Sequence, residues 1–179
     1  MKNIFLLFIV AGAVLTARCQ TTTAAATNGP VPQYLNNVYY FIADSLLSLE
    51  KTTGQLKNKF RYFGGGSGPS YNMEGPRSAV RIKAGADTRF AIRLSGMMDP
   101  SATIKLFRFD SQKKSRETSV NQTPKNVVDC NVQKSGSDVY ILIPATRLTP
   151  GEYGFQNMMM MNGSGSNMSY TFFAFGVDE

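Results

Sequence analysis

Histidine is absent from this chain of 179 residues, and so is tryptophan. Histidine is the commonest general base and the commonest zinc ligand, so its absence excludes Ser–His–Asp and Cys–His catalysis and His-based metal sites. The segment Ser111–Lys114 matches Ser-x-x-Lys, but the companion motifs of penicillin-recognising enzymes are missing. We therefore predict no catalytic residue, no metal and no cofactor, and we expect a protein that is not an enzyme.

Cysteine is scarce, with only Cys19 and Cys130 in the chain. Cys19 ends the predicted signal peptide described below, so a mature chain would hold Cys130 alone and no intramolecular disulfide. A domain of this size can bury an adequate core without one. Cys130 lies in the segment Val127-Val128-Asp129-Cys130, which is largely apolar and predicts a small core residue rather than a reactive thiol.

Long apolar runs are also rare, and the clearest one is Ile4–Leu15, which follows the cation Lys2. A bilayer core needs about 20 residues, so this shorter run predicts a cleaved secretory signal peptide over residues 1–19 and an exported, periplasmic or extracellular protein. Cleavage after Cys19 is favoured. The alternative is a lipoprotein acylated on Cys19, associated peripherally with a membrane, and the bulky Arg18 before the cysteine argues against it.

Negative charge is in deficit, since 19 Lys and Arg face 12 Asp and Glu, a net charge of +7. Several cations fall close together between residues 77 and 93, and the glycine-rich segment 64–69 has aromatic neighbours. A solvated sheet face is the favoured interpretation of the cations, and an anionic glycan or lipid is the alternative ligand. Nucleic acid is not expected, because no aromatic residues interleave with the cations. The candidate ligand-binding residues are Arg81, Lys83, Arg89, Arg93, Tyr62, Phe63 and Tyr71.

What the chain does contain is a series of short apolar runs separated by Gly, Pro, Asn and Asp. This spacing is typical of an all-β fold, and we predict an antiparallel β-sandwich, Ig-like or jelly-roll-like, of about nine strands. Residues 20–33 are rich in Thr and Ala and carry no charge, which predicts a flexible leader. A single β domain is expected to cover residues 34–179.

Alternation along the chain predicts particular strands. Residues 79–83 and 89–94 each alternate apolar with basic side chains, so we expect them to be antiparallel neighbours with one face in water. The break at Ala43-Asp44-Ser45 predicts a hairpin rather than a helix over residues 37–49. The segments 139–143 and 170–175 are apolar on both faces, which predicts central or covered strands.

Two further patterns have a chemical alternative to a structural role. Paired carboxylates could hydrolyse glycosides, but no spacing in the sequence sets two of them at the required separation. The run Met158–Met161 offers soft ligands for Cu(I), yet strand alternation would split the four side chains between two faces. A gap-filling or sticky strand end is therefore favoured for the methionines. The carboxylate candidates are Glu50, Glu74, Glu117 and Glu152.

Two short motifs near the C-terminus carry a resemblance to a known group of proteins. Residues 150–153 read Pro-Gly-Glu-Tyr, and residues 175–178 read Phe-Gly-Val-Asp. Together with residues 75–82 and the Asp99-Pro100 step, this pattern resembles uncharacterised exported β-sandwich proteins of Bacteroidota over roughly residues 36–178. The resemblance implies a β-sandwich and supplies no catalytic residues.

The function that these features favour is a non-enzymatic, exported interaction or accessory module of the cell envelope. Its partner would be an envelope protein or a glycan. The two alternatives are a binder of anionic glycan or lipid, using the basic residues and the aromatic glycine-rich loop, and a carboxylate-dependent hydrolase.

Overall fold

A computed structural model of the chain describes residues 29–59, 68–83, 85, 87–96, 98–163 and 168–179. Over these residues the protein is nearly all β, with one short helix, α1 (Pro100–Thr103), which confirms the predicted all-β class. The described residues form thirteen strands, against the roughly nine expected from the apolar runs. In chain order these are β1 (Val38–Ile42), β2 (Ser45–Ser48), β3 (Glu50–Lys59), β4 (Gly68–Glu74), β5 (Arg81–Lys83), β6 (Phe90–Arg93), β7 (Ile104–Ser111), β8 (Ser115–Ser119), β9 (Val127–Val128), β10 (Cys130–Lys134), β11 (Val139–Pro144), β12 (Gly151–Asn162) and β13 (Ser169–Asp178).

Six of the strands close into a barrel-like sheet. In the order β12-β13-β3-β4-β8-β7 each strand pairs antiparallel with the next, and β7 pairs again with β12. The closing pair keeps one register from Glu152 opposite Phe109 to Asn157 opposite Ile104. The sequence did not predict this closure, because alternation reports which residues are buried and not whether the outer strands of a sheet meet.

The barrel interior is filled mainly by aromatic side chains. Tyr170, Phe172 and Ala174 alternate along β13 and pack there with residues of β4 and β7. Gly54 of β3 makes room for this packing, since a Cβ at that position would lie 2.5 Å from Cε2 of Phe172. The remaining interior residues of this cluster are Tyr71, Met73, Phe107 and Phe109.

The second layer is a five-stranded antiparallel sheet in the order β10-β11-β6-β1-β2. Its residues and the outer side chains of β12 and β13 form one apolar cluster between the layers. Phe90 of β6 lies at its centre, with ring centroids 4.8 Å from Phe155 and 5.0 Å from Phe175. Because β13 is buried on both faces and flanked by β12 and β3, the prediction of a central strand over residues 170–175 is confirmed.

The predicted hairpin over residues 37–49 is confirmed. Strands β1 and β2 pair antiparallel from Tyr39 opposite Ser48 to Ile42 opposite Ser45, and Ala43 in the turn has a φ of 49°. The predicted pairing of residues 79–83 with 89–94 is wrong. Strand β5 pairs parallel with β13 of the barrel, and β6 lies between β1 and β11 of the other sheet. Alternation identifies the buried face of a strand but not the strand that pairs with it. The chain passes from one layer to the other between β5 and β6.

The predicted signal peptide, residues 1–19, and most of the predicted leader lie outside the described residues. Within the ranges given above, no helix is long and apolar enough to cross a membrane.

Candidate functional site

Three strands align a charged cluster at one end of the barrel. Glu152 of β12 lies opposite Gly176 of β13, and Gly176 lies in turn beside Arg81 of β5. Arg81 reaches over the intervening strand, with Nη1 2.5 Å from Oε1 of Glu152. Its Nη2 lies 2.6 Å from Oδ1 of Asp178, so one guanidinium holds two carboxylates. Only glycine allows this, because a Cβ on Gly176 would overlap the Arg81 guanidinium.

Arg116 of β8 is the second cation of the cluster, and its side chain is fully buried. Its Nη2 donates to Oε1 of Glu50 at 3.0 Å and to the carbonyl oxygen of Glu74 at 3.2 Å. Its Nη1 lies 3.7 Å from Oε2 of Glu152. Arg116 therefore joins β3, β4 and β12 from inside the barrel, and a buried charge of this kind needs both carboxylates to offset its desolvation.

A backbone segment closes this end of the barrel over the two carboxylates. The amide of Ser78 donates to Oε2 of Glu152 at 2.8 Å, and the amide of Ala79 donates to Oε2 of Glu50 at 2.9 Å. The Ser78 hydroxyl also donates to Glu50. Burial raises the pKa of Glu50, but the hydrogen bonds from Ser78 and Arg116 outweigh it, and the net pKa lies below its usual value.

An open cleft of about 420 Å³ adjoins the cluster on the outside. It contains charges of both signs, and no excess of cations is available to select an anion. In the cleft Arg108 lies over the ring of Tyr153, 6.0 Å from its centroid, and Arg108 Nη2 also donates to the carbonyl oxygen of Pro150 at 3.4 Å. The charged side chains lining the cleft are Arg77, Arg81, Arg108, Asp110, Glu152, Asp178 and Glu179.

The structure divides the four basic candidate residues between the two sheets. Arg81 and Lys83 belong to β5, whereas Arg93 belongs to β6 and Arg89 directly precedes it. The expectation of one shared basic face is therefore wrong. Arg81 is held by carboxylates as described, and Arg93 Nε lies 2.6 Å from Oδ2 of Asp138. The guanidinium of Arg89 lies over the ring of Phe41, 5.4 Å from its centroid.

Of the three aromatic candidates, only Tyr71 lies in the part of the chain that the structure describes. Tyr62 and Phe63 lie outside the described residues. Tyr71 lies inside the barrel, where its ring packs edge-on against Phe107, Tyr170 and Phe172. Its proposed role in ligand contact is thus corrected to a core role, because its position on β4 faces the interior. Burial raises the pKa of the Tyr71 hydroxyl.

The methionine run and the first described residues carry most of the exposed large apolar side chains of the described ranges. Met158, Met159 and Met161 are 39%, 56% and 49% exposed, whereas Met160 packs against the interlayer core. Nδ2 of Asn157 donates to the carbonyl oxygen of Asn36 at 3.0 Å, which places Asn36 beside β12. We call these exposed side chains the apolar rim; its members are Val31, Tyr34, Leu35, Met158, Met159 and Met161.

Cys130 lies at a narrow cleft of about 320 Å³ between the two layers. Its side chain is partly buried against the interlayer core, and burial together with the nearby Asp129 raises its pKa to about 12. The prediction of an unreactive, packed cysteine agrees with this position. Lys105 and Asp129 also line the cleft, so its charges balance.

The sequence does not reveal that Glu50 and Glu152 converge on Arg116, because the three residues are distant in the chain. The one signal in the sequence is that Arg116 and Thr118 share a face of a strand, residues 115–119, that has no apolar side chain. The sequence pattern also places Tyr34 at the start of the domain and gives it no role. In the described part of the chain no group of three or more His, Cys, Asp or Glu side chains could hold a metal ion.

Comparison with known proteins adds no family to this description. No protein-family model matches the chain, and no curated protein or solved structure is significantly similar to it.

Proposed function

We propose that this chain is a non-enzymatic, exported interaction module of the cell envelope, and that it binds its partner through the apolar rim. The observation that carries the proposal is the distribution of exposed apolar side chains. Of the seven large hydrophobic residues that are exposed in the described ranges, six belong to the rim and only Ile42 lies elsewhere. Contiguous exposed apolar surface on a folded domain is typical of a binding site.

The two-layer architecture supports a binding role for the rim. In this proposal the five-stranded sheet and the facing barrel wall act together as a β-sandwich. Met160 anchors the methionine run in the interlayer core, and Asn157 ties it to Asn36. The three methionines of the rim are held on strand β12 and lose little backbone entropy on binding, which favours affinity.

The charged cluster supports a structural rather than a catalytic role for the carboxylates. Glu50 and Glu152 are close enough to share Arg116, so the fold does bring two of the predicted acids together. Each also accepts a backbone amide from residues 78–79. A general acid at neutral pH needs a raised pKa, whereas that of Glu50 is lowered. The hydrolase therefore remains the weaker alternative.

The alternative of an anionic glycan or lipid ligand has less support than the sequence suggested. Arg81 and Arg93 are each paired with a carboxylate, which leaves Lys83 and Arg89 as the exposed cations of the set. Charge reversal at Arg81 would also break the barrel-end cluster. The test of this alternative is therefore the combined Lys83→Glu and Arg89→Glu variant, assayed for binding to anionic vesicles and glycans; retained affinity would exclude the basic-residue binder.

Export and envelope location rest on the N-terminal sequence and on the resemblance to exported Bacteroidota proteins. The N-terminal residue of the mature protein, measured by intact mass, distinguishes the alternatives. Gln20 at the N-terminus supports a released protein, and an acylated Cys19 supports a membrane-anchored one. A retained residue 1 would contradict export through this segment.

The interaction itself is tested by site-specific photo-crosslinking in intact cells. A photoreactive phenylalanine analogue replaces Tyr34 in the rim, and a matched control replaces Lys51, which is exposed on β3. We expect a discrete cross-linked product from position 34 and none from position 51. Absence of a product at position 34, or the same products at both positions, would contradict an interaction through the rim.

A further inference from the structure

We propose that the cleft beside Cys130, between the two layers, binds a small uncharged amphiphile, with its aliphatic chain in the cleft and a hydroxyl head at the mouth. No residue of the apolar rim lines this cleft, so the inference goes beyond the proposed function and does not depend on it. It follows from how the cleft arises, from the side chains that line it and from the charges at its mouth.

The cleft lies where the chain crosses from the barrel to the second sheet. Strand β9 pairs with β7 and strand β10 pairs with β11, although Asp129 is the only residue between β9 and β10. A matching one-residue crossing joins β2 to β3 at Leu49, whose side chain is buried in the interlayer cluster. Asp129 is exposed and does not belong to that cluster. An apolar side chain therefore fills one junction, whereas the other retains a cleft of about 320 Å³.

The inner surface of the cleft is apolar. Its floor consists of buried side chains of the interlayer cluster, and its walls consist of half-buried side chains that pack against the same cluster. The Cys130 thiol in the wall is uncharged at neutral pH, because burial raises its pKa to about 12. An aliphatic chain that enters the cleft removes its own surface and these walls from water, which is favourable. The floor residues are Ile104, Leu106, Leu142 and Phe155, and the wall residues include Val128, Cys130 and Val132.

The volume of the cleft sets the size of the occupant. Small-molecule sites have volumes from about 300 Å³ upward, and an apolar cavity of roughly 150 Å³ is enough for benzene. The cleft, at about 320 Å³, has room for a chain of roughly eight to ten carbon atoms. An amphiphile of this length fits without any change in the surrounding strands.

The charges at the mouth favour an uncharged head group. Lys105 is half-buried and Asp129 is exposed, and within the described ranges neither of them forms an ion pair. A carboxylate head would face Asp129, and Asp99 is already close enough to Lys105 for their charges to interact. An ammonium head would face Lys105. A hydroxyl both accepts from an ammonium group and donates to a carboxylate, so it is compatible with both residues.

Titration of the mature protein with 1-octanol, followed by proton–nitrogen correlation spectra, tests this inference. We expect saturable shifts centred on the amides of residues 104–106 and 128–132. From butanol to octanol the affinity should rise about threefold to fourfold with each methylene, since burial of one CH₂ group contributes about 0.8 kcal/mol. Octanoate and octylammonium have the same chain length and should bind at least about fivefold more weakly than octanol, because their heads are charged.

Substitutions connect the binding to the cleft. Val132→Phe places a larger side chain in the wall and should weaken octanol binding at least about tenfold. Val128→Phe repeats this test from the barrel side, and circular dichroism verifies that each variant is folded. Ile141→Phe is the matched control, because Ile141 adjoins Leu142 on β11 and so faces away from the cleft.

Four results would overturn the inference. These are the absence of saturable shifts up to the solubility limit of octanol, binding that folded Val132→Phe or Val128→Phe leaves unchanged, equal weakening by Ile141→Phe, and equal or tighter binding of a charged probe. The source of the chain is a separate measurement. Octanol binding together with co-sedimentation on phosphatidylcholine vesicles would assign the chain to a membrane lipid, and octanol binding without co-sedimentation would assign it to a free molecule.

Discussion

Arg81 and Glu152 form an ion pair across the full width of the strand that separates them. The pair is possible because the intervening residue, Gly176, has no side chain. Two short sequence motifs, Pro-Gly-Glu-Tyr and Phe-Gly-Val-Asp, thereby meet in one row of the sheet. The glutamate of the first motif and the glycine of the second are explained by the same arginine, so both motifs have a structural role here.

Replacing Gly176 with alanine should destabilise the fold by about 2–4 kcal/mol, because the new methyl group would displace the Arg81 guanidinium and leave Glu152 without that partner. Urea unfolding followed by tyrosine fluorescence measures the change. Gly136→Ala is the control, since a Cβ there would make an ordinary contact, 3.7 Å from Val139 Cβ. Equal stability of the two variants would show that the crossing of Gly176 by Arg81 contributes nothing.

Replacing Arg116 with methionine should cost about 3–5 kcal/mol, because it leaves Glu50 and Glu152 without a buried cation. The measurement is the free energy of unfolding at pH 7. Combining Arg116→Met with Glu50→Gln should cost less than the sum of the single changes, since the two side chains interact directly. Arg147→Met, at an exposed position, should change stability little. Additive effects of Arg116→Met and Glu50→Gln would contradict the coupling.

Stability should fall as the pH drops below about 4.5, the unshifted pKa of a glutamate side chain. The pKa of Glu50 is lowered in the folded state, so its carboxylate stabilises the fold above the unfolded-state pKa, and this contribution is lost as pH falls through the folded-state value. The lowered pKa values of Asp138 and Asp178, each beside an arginine, act with the same sign.

The contribution of Glu50 is isolated by a substitution. Glu50→Gln should lower stability at pH 7 and flatten its dependence on pH between about 5 and 3, because no proton is taken up at this position. Glu74→Gln is the control, since Arg116 contacts the backbone carbonyl oxygen of Glu74, which the substitution keeps. Unfolding free energies at several pH values provide the test, and parallel curves for the wild type and Glu50→Gln would contradict it.

Cys130 should react slowly with iodoacetamide in the folded protein and rapidly in urea. A pKa raised to about 12 leaves very little thiolate at pH 8, and the side chain is partly covered. We expect labelling at least about tenfold slower than that of a thiol introduced by Thr146→Cys, an exposed position, in a Cys130→Ser background. Equal rates at the two positions would contradict a packed cysteine.

Local features of the sequence predicted local features of the fold. The hairpin of β1 and β2 follows from a break at Ala43-Asp44 between two apolar runs, because adjacent strands need only a turn to pair. The partner of β5 could not be found in this way. Its neighbour, β13, lies near the other end of the chain, and alternation is the same whichever strand a residue pairs with.

The candidate site was accessible to sequence reasoning only in part. The methionine run was recognised as an unusual strand end, but its combination with Tyr34 depends on the bond between Asn157 and Asn36, two residues far apart in the chain. The sequence shows how many basic residues lie near β5 and β6. Their division between two sheets, and the neutralisation of Arg81 by Glu152, required the fold.

By itself the sequence determined the chemistry that this chain lacks, since absent histidine can form no site in any fold, and it determined the all-β class, since alternation and turn residues act over a few positions. Tertiary structure alone decided that one sheet closes into a barrel, that Glu50 and Glu152 meet at Arg116, and that Asn36 lies beside Asn157 at the start of the methionine run. Each of these depends on contacts between residues distant in the chain, and a local pattern carries no information about which distant residues become neighbours.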